Sequence, residues 1–381
     1  MTVNVTAMRI PQLDLSQQYV TLSAEIRAEI DEVLATQQFI LGPKVAEFER
    51  AVADYIGVKH AIGVSSGTDA LLAIFMALGF GAGDALIVPS FTFLATASCV
   101  ARVGAKPLFA DIDPATYNLT AETVEACLRK RSSERIRAIV PVHMFGLCCD
   151  MDPLLELAER EKLIVIEDAA QAIGAEYHGR QAGTMSAVAA FSFYPTKNLG
   201  AAGDAGLIAT NNDQLAERIR VCRQHGMRER YFHDFIGGNF RMDSLQAAVL
   251  KAKLPYLDEW SAARRRAAEV YHDELTRRGL GRHIVLPEVP AGSLHIYHQY
   301  VVQTPRRDAL RKHLTERGIG TAIYYPLGLH QQACFTYLAY REGDLPETER
   351  AAREVLALPM YPELTREHQR YVADAIAEFF Q

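Results

Sequence analysis

Between His60 and Ala175 short apolar runs alternate with helical periods, and few architectures accept that alternation. HAIGVSS (60–66) is a short strand, and GTDALLAIFMALG (67–79) is a helix opened by small and polar residues. ALIVPS (85–90) is a strand ended by proline, ATASCVARVG is helical, and KPLFADI (106–112) is again a strand. RIRAIVPVHMFG (135–146) carries a strand into His143, and MDPLLELAERE is a helix capped by Asp152 with Pro153 at its first position. LIVIEDAAQAIGA (163–175) is a strand whose last residues turn acidic. Strands of this kind are buried on both faces, which predicts an α/β fold: a mostly parallel mixed sheet sandwiched by helices. In such sheets function collects beyond the carboxyl ends of the strands.

The flanks read differently. Leu22, Ile26, Ile30, Val33 and Leu34 recur with a helical period, and FILGP (39–43) stops that helix before a second one that ends about Gly57. After Met242 the period is helical again, through Leu245, Val249, Leu254 and Leu257 into a basic run, Arg264–Arg266, which reads as a solvated helix face on a connector. From about residue 283, short strands and helices suggest a smaller α+β domain. The expected division is 1–250 for a large domain with an N-terminal helical arm, and 251–381 for the connector helix and a small C-terminal domain.

Several function classes are disfavoured. A formal net charge of -6 argues against nucleic acid or an anionic membrane as partner. No apolar run approaches the length of a membrane span. The N-terminus lacks a basic patch followed by an apolar core, so no secretory signal is expected. Six cysteines show neither CxxC nor metal-ligand spacing, which reads as reduced thiols in a cytoplasm and no bound metal.

Candidate chemistry gathers at predicted strand ends. In FSFYPTKNLGAAGDAG (191–206) an apolar strand breaks at Tyr194-Pro195 and presents one lysine, Lys197, on a loop too rich in glycine to be a helix. Alone it reads as a surface lysine; with the stretches that follow it reads as a Schiff-base lysine, whose desolvated amine attacks carbonyl groups. SSGTDA (65–70) joins a strand to a helix, where small residues let backbone N–H groups approach an anion; helix capping is the competing reading, and Asp69 serves either. Phe91 and Phe93 follow another strand end, where an aromatic ring either packs in the core or stacks on a planar cofactor. Glu167 and Asp168 end a buried strand and need partners. Asp168 is placed either to cap a helix or to hold a pyridine nitrogen protonated, and Gln171 to donate to a ring oxygen. His143 is a structural or an active-site histidine. The loop HGMRERYFHDFIGGNFRMD (225–243) mixes basic, aromatic and glycine residues and is either an anion site or a solvated loop.

In this order FILGPKVAEFE, SSGTDALLA, PSFTFLATA, PVHMFG, VIEDAAQAIGA, FSFYPTKNLG, IGGNFRMDSLQAAVL and YYPLGLHQQ resemble the DegT/DnrJ/EryC1/StrS sugar aminotransferases over nearly the whole chain. The resemblance implies the aspartate-aminotransferase fold (fold type I), with pyridoxal 5'-phosphate (PLP) in the large domain. It implies that Lys197 is the Schiff-base lysine and general acid/base, Asp168 pairs with the ring nitrogen, Gln171 meets the ring hydroxyl and Phe93 stacks on the ring. Gly67, Thr68 and Ser192, beside Asp69, are implied to hold the phosphate, and Asn239 to reach the cofactor of the neighbouring subunit in a homodimer with its active sites at the interface. The implied reaction moves an amino group from L-glutamate, leaving 2-oxoglutarate, to a nucleotide-linked keto sugar. The context of Lys197, FYPTKN followed by GD, looks more like enzymes acting at C-3 than at C-4, and RYFHDFIGGNFRMD looks like members using UDP-linked 3-keto N-acetylhexosamines. His143, Tyr194, Tyr325 and His330 are substrate-side candidates, with Arg230 and His233 for the sugar nucleotide's charge. Ala205 stands where many members have a second glycine. Members that dehydrate the sugar replace the lysine by histidine, so Lys197 favours transamination. The rival in another class is a PLP-binding regulator without transaminase activity. Lipopolysaccharide, antibiotic sugars and surface-layer glycans are all compatible destinations.

Overall fold

The computed structural model describes residues 8–381. The expectation about a secretory signal falls partly on residues 1–7, outside that range. Two helices open the chain, α1 (Ser16–Thr36) and α2 (Pro43–Ile56). Proline starts α2, where its missing N–H is harmless, and Gly57 ends it in the left-handed conformation at φ 82°. The alternating block then gives β1 (His60–Val64), α3 (Gly67–Ala77), β2 (Ala85–Pro89), α4 (Leu94–Arg102), β3 (Lys106–Ala110), α5 (Ala121–Lys130), β4 (Ile136–Ile139), α6 (Met151–Glu161) and β5 (Ile164–Asp168). Strands β6 (Val188–Ser192) and β7 (Gly206–Thr210) complete a seven-stranded sheet of order β1-β7-β6-β5-β4-β2-β3. Only β7 runs against its neighbours. The carboxyl ends of β1, β2, β5 and β6 therefore share one edge.

Side chains alternate along each strand, so each face of the sheet carries its own apolar core. One holds Phe48, Ile87, Leu108, Ile139, Phe191, Phe193 and Leu207, and the other Ile62, Leu86, Val88, Val140, Ile166 and Ile208. Helix α6 departs from expectation: it starts at Met151, and Asp152 pairs with Arg180 rather than capping the helix.

Helices α7 (Asp213–Cys222), α8 (Ser244–Lys253) and α9 (Leu257–Arg277) lead to a third core. There the antiparallel pair β8 (Tyr300–Gln303) and β9 (Val355–Leu358) packs with α9, α10 (Arg307–Glu316) and α11 (Arg366–Phe380). The N-terminal segment, expected with the large domain, joins this core. Ile10 is fully buried in it, donates to the Gly318 carbonyl at 3.0 Å and accepts from the Gly320 N–H at 2.8 Å. In return Leu329, Phe335, Leu338 and Leu345, late in the chain, pack on the large sheet.

Arg264 corrects the reading of the basic run. It is buried, and its guanidinium donates to the carbonyls of Met360 at 3.0 Å and Tyr297 at 3.3 Å. One arginine of the run thus ties the connector to the small core, while Arg266 faces solvent. All six cysteines are free. Among the described residues no helix is long and apolar enough to cross a membrane.

Candidate active site

Beyond the shared strand edge lies a cavity of about 630 Å³, lined by Ser66, Gly67, Thr68, Phe93, Asp168, Gln171, Ser192, Tyr194, Lys197 and Tyr325 among others. The first wall is the start of α3. Ser66 caps the helix by accepting from the Asp69 N–H at 3.0 Å, and Asp69 accepts from the Ser65 hydroxyl at 2.7 Å. Asp69 thus serves the cap and does not line the cavity. The strand register sets Gly206 opposite both Val64 and Ser192. A Cβ on Gly206 would lie 2.4 Å from the Ser66 carbonyl, and one on Gly67 2.7 Å from Ser192 Cβ. Three backbone segments meet only because these two residues lack side chains. The result is a helix N-terminus flanked by Thr68 and Ser192, which suits a phosphate.

Asp168 ends β5 at the floor. Its carboxylate accepts from the Thr96 hydroxyl at 2.7 Å and the Ala170 N–H at 3.2 Å. Burial pushes this carboxyl above its ordinary value, against those two donors and the charge of Lys197. A buried carboxylate this poorly supplied calls for a cation. Lys197 follows a turn closed by its own N–H on the Tyr194 carbonyl at 2.8 Å. Its Nζ makes no hydrogen bond or ion pair among the described residues. Burial lowers its amine from 10.5 to about 8, and only the charge of Asp168 acts the other way. Near physiological pH it therefore keeps a minor neutral fraction that an ordinary lysine lacks, and that neutral amine is a nucleophile.

Phe93 and Phe91 part company: Phe91 is in the core, whereas Phe93 is 58% exposed on the cavity wall. A planar ring over Asp168 would have Phe93 beside it. Gln171 lines the cavity with its amide already engaged: Oε1 accepts from the Phe145 N–H at 2.8 Å, and Nε2 donates to the Tyr325 hydroxyl at 3.2 Å. That leaves the Tyr325 proton free for the cavity.

Besides Asp69, five predicted residues lie off this cavity. His143 is fully buried behind it, where Nδ1 accepts from the Cys149 N–H at 3.2 Å and Nε2 donates to Glu167 at 2.9 Å. The Gly183 and Met185 N–H groups also donate to Glu167, at 2.7 and 3.0 Å. Burial alone would raise the Glu167 carboxyl, but these donors hold it below its ordinary value. His330 is likewise structural: Nδ1 pairs with the Ser90 hydroxyl at 2.7 Å and Nε2 with Glu349 at 3.2 Å. Arg230, His233 and Asn239 are exposed on the loop between α7 and α8 and do not line this chain's own cavity. Thr96, His298, Gln299 and Tyr324 line it and were not anticipated. Thr96 sits three positions after Phe93 in an otherwise small and apolar helical turn, and that spacing was its one signal.

A cation for Asp168, an aldehyde for a neutral amine and a phosphate for the α3 turn are supplied together by one prosthetic group, pyridoxal 5'-phosphate. With this sheet they define the class: a PLP-dependent aminotransferase of fold type I. A family model described as the DegT/DnrJ/EryC1/StrS aminotransferase family matches residues 20–377, and the chain belongs to that family. It is 48% identical over 374 residues to a protein of Geobacillus stearothermophilus named pleiotropic regulatory protein, covering 98% of this chain and 99% of the other. It is 43% identical over 367 residues to the UDP-N-acetyl-3-dehydro-alpha-D-glucosamine 3-aminotransferase of Acidithiobacillus ferrooxidans, covering 96% and 97%. The crystal structure of S. venezuelae DesV in complex with a ketimine intermediate superposes with a TM-score of 0.93 at 43% identity, covering 97% of this chain and 98% of the other.

Proposed function

We propose that the protein transfers the amino group of L-glutamate to the C-3 carbonyl of a nucleotide-linked keto sugar, with a UDP-linked 3-keto N-acetylhexosamine as the favoured substrate. The observation that carries this reading is that Lys197 and Asp168 face one cavity roomy enough for a cofactor and a sugar. Gly67, Thr68 and Ser192 would hold the phosphate of pyridoxal 5'-phosphate, Asp168 its ring nitrogen, Phe93 its face and Lys197 its aldehyde carbon. Bound there, the cofactor carries the amino group between substrates and its ring takes up the electron pair left when a proton departs. Lys197 Nζ then removes the proton from the α-carbon of glutamate and, in the second half, delivers one to the sugar carbon. Tyr325 donates a hydrogen bond into the cavity, and Tyr194 borders its mouth.

Glutamate alone is expected to bleach the yellow holoenzyme. Aminated UDP- and dTDP-sugars run in reverse with 2-oxoglutarate, and read by mass spectrometry, are expected to turn over when the amine is at C-3. Turnover of 4-amino sugars alone would remove the C-3 assignment. The name of the Geobacillus relative favours a second reading, a PLP-binding regulator. A protein that glutamate never bleaches would support that reading instead.

We further infer a homodimer whose partner copy completes each site. Tyr231, Phe232 and Ile236 are 76%, 70% and 88% exposed on the same loop that presents Arg230, His233 and Asn239. An apolar surface flanked by exposed basic and amide side chains fits a second copy of this chain. Sedimentation velocity is expected to give a dimer, and a monomer at full activity would remove this reading.

A further inference from the structure

His298 belongs to the segment that leads into β8, yet it lines the same cavity as Lys197. It is 6% exposed. The segment is pinned to the loop before α6: the Ile296 N–H donates to the Gly146 carbonyl at 3.0 Å, and the Gln299 N–H donates to the Phe145 carbonyl at 3.4 Å. These contacts fix the backbone that presents the ring to the cavity.

The ring's protonation pattern follows from its partner. Asn198, the residue after the lysine, donates through Nδ2 to the Ile296 carbonyl at 3.3 Å. Turning the amide over would set its oxygen against that carbonyl, so Oδ1 faces His298 and accepts. Nδ1 of His298 lies 3.2 Å from Oδ1 and must carry the proton. Nε2 is then a bare acceptor. It has no partner among the described residues and is not enclosed. Burial, reinforced by the charges of Lys197 and Arg264, holds the imidazole well below its ordinary value.

A fixed acceptor selects what can sit beside it. The carboxylates of glutamate, the cofactor phosphate and a nucleotide diphosphate have no proton to give at neutral pH. A sugar does. We propose that Nε2 of His298 accepts a hydrogen bond from a hydroxyl or acetamido N–H of the sugar, on a carbon next to the one aminated, and so determines which keto sugars are taken. This rests on the nucleotide-sugar reading above. A site that leaves a buried acceptor unpaired discriminates strongly against the substrate lacking the donor.

The test uses the holoenzyme in reverse with 2-oxoglutarate. One probe pair is dTDP-linked 3-amino-3,6-dideoxyglucose and 3-amino-3,4,6-trideoxyglucose, which differ in the C-4 hydroxyl. The other is UDP-linked 3-amino-3-deoxy-N-acetylglucosamine and its 2-deoxy analogue, which differ in the acetamide. The native enzyme is expected to prefer the donor-bearing member of at least one pair by about 10- to 100-fold in kcat/KM. His298→Phe should erase that preference while the glutamate half-reaction falls far less. His298→Gln, which restores an acceptor, should recover part of the preference. Equal rates for both members of both pairs in the native enzyme would overturn the proposal, as would a preference that survives His298→Phe. An equal fall in both half-reactions would overturn it too, because it would assign His298 to the lysine instead. Bleaching by glutamate without turnover of any amino sugar would fail the nucleotide-sugar reading, and the proposal would fall with it.

Discussion

Lys197→Met is expected to reduce amino transfer by about 10⁴-fold or more, because one amine both anchors the cofactor and moves the proton in each half-reaction. Methionine keeps the apolar length of the side chain and deletes the amine. Activity alone would not separate this role from a damaged fold, so two further measurements are attached. Borohydride reduction followed by mass spectrometry should fix the cofactor to the native chain at Lys197 and leave the variant's mass unchanged. The second readout is the stability of the cofactor-free proteins against pH. Burial lowers the native amine to about 8 from 10.5, so between those values the unfolded chain binds the extra proton. Native stability therefore rises with pH across that window relative to the variant, and below about 8 the buried ammonium is a fixed burden. The difference between the two curves should close from pH 8 upward. A flat difference would mean that the amine is not desolvated, and the account of its reactivity would fail with it.

The sequence was informative where chemistry and backbone demand coincide. Gly67, Thr68, Ser192 and Lys197 stand where a strand stops and a small-residue turn begins, a pattern of polar residues, glycine and proline readable without coordinates. Strand ends also misled. His143 follows β4 at the right end of the sheet, but a linear sequence does not say which side of the strand a ring enters; His330 stands on a late turn, Leu329–Gln331, that packs beside the end of β2. Their neighbours decide it: Glu167 and the Cys149 N–H draw His143 inward, and Ser90 and Glu349 do the same for His330. Arg264 looked solvated because it stands in a run of three arginines, and only the carbonyls of Tyr297 and Met360 reveal the helix face it occupies. His298 and Gln299 were hidden for a different reason. They reach the cavity from a segment one hundred residues beyond Asn198, and long-range closure of that kind leaves no local period to read. The same holds for Ile10, whose partners Gly318 and Gly320 lie at the other end of the chain.

Asp168→Asn is expected to lower kcat by about 10²–10³-fold with a smaller change in folding stability. The amide is nearly isosteric: its oxygen still accepts from the Thr96 hydroxyl at 2.7 Å, and only the longer 3.2 Å contact from the Ala170 N–H loses its acceptor, so the floor of the cavity stays packed. What disappears is the negative charge that keeps a ring nitrogen protonated. Burial raises the carboxyl of Asp168, with Thr96, the Ala170 N–H and Lys197 opposing, so this group gains most from a cation placed against it. Glu167 is the control, one residue earlier on the same strand. Successive side chains on a strand point to opposite faces, so Glu167 looks away from the cavity towards His143, Gly183 and Met185. In Glu167→Gln the new NH₂ meets backbone N–H donors, and one of them loses its acceptor. That variant should lose about 1–3 kcal/mol of stability, yet keep near-native kcat per folded molecule. Two neighbouring acids thus give opposite signatures, one in the rate and one in the melting curve. Denaturant titration and single-turnover bleaching by glutamate, run on both variants, separate them. If Asp168→Asn bleached at the native rate, the carboxylate would have no part in the chemistry, and the cavity would need another partner for the ring nitrogen.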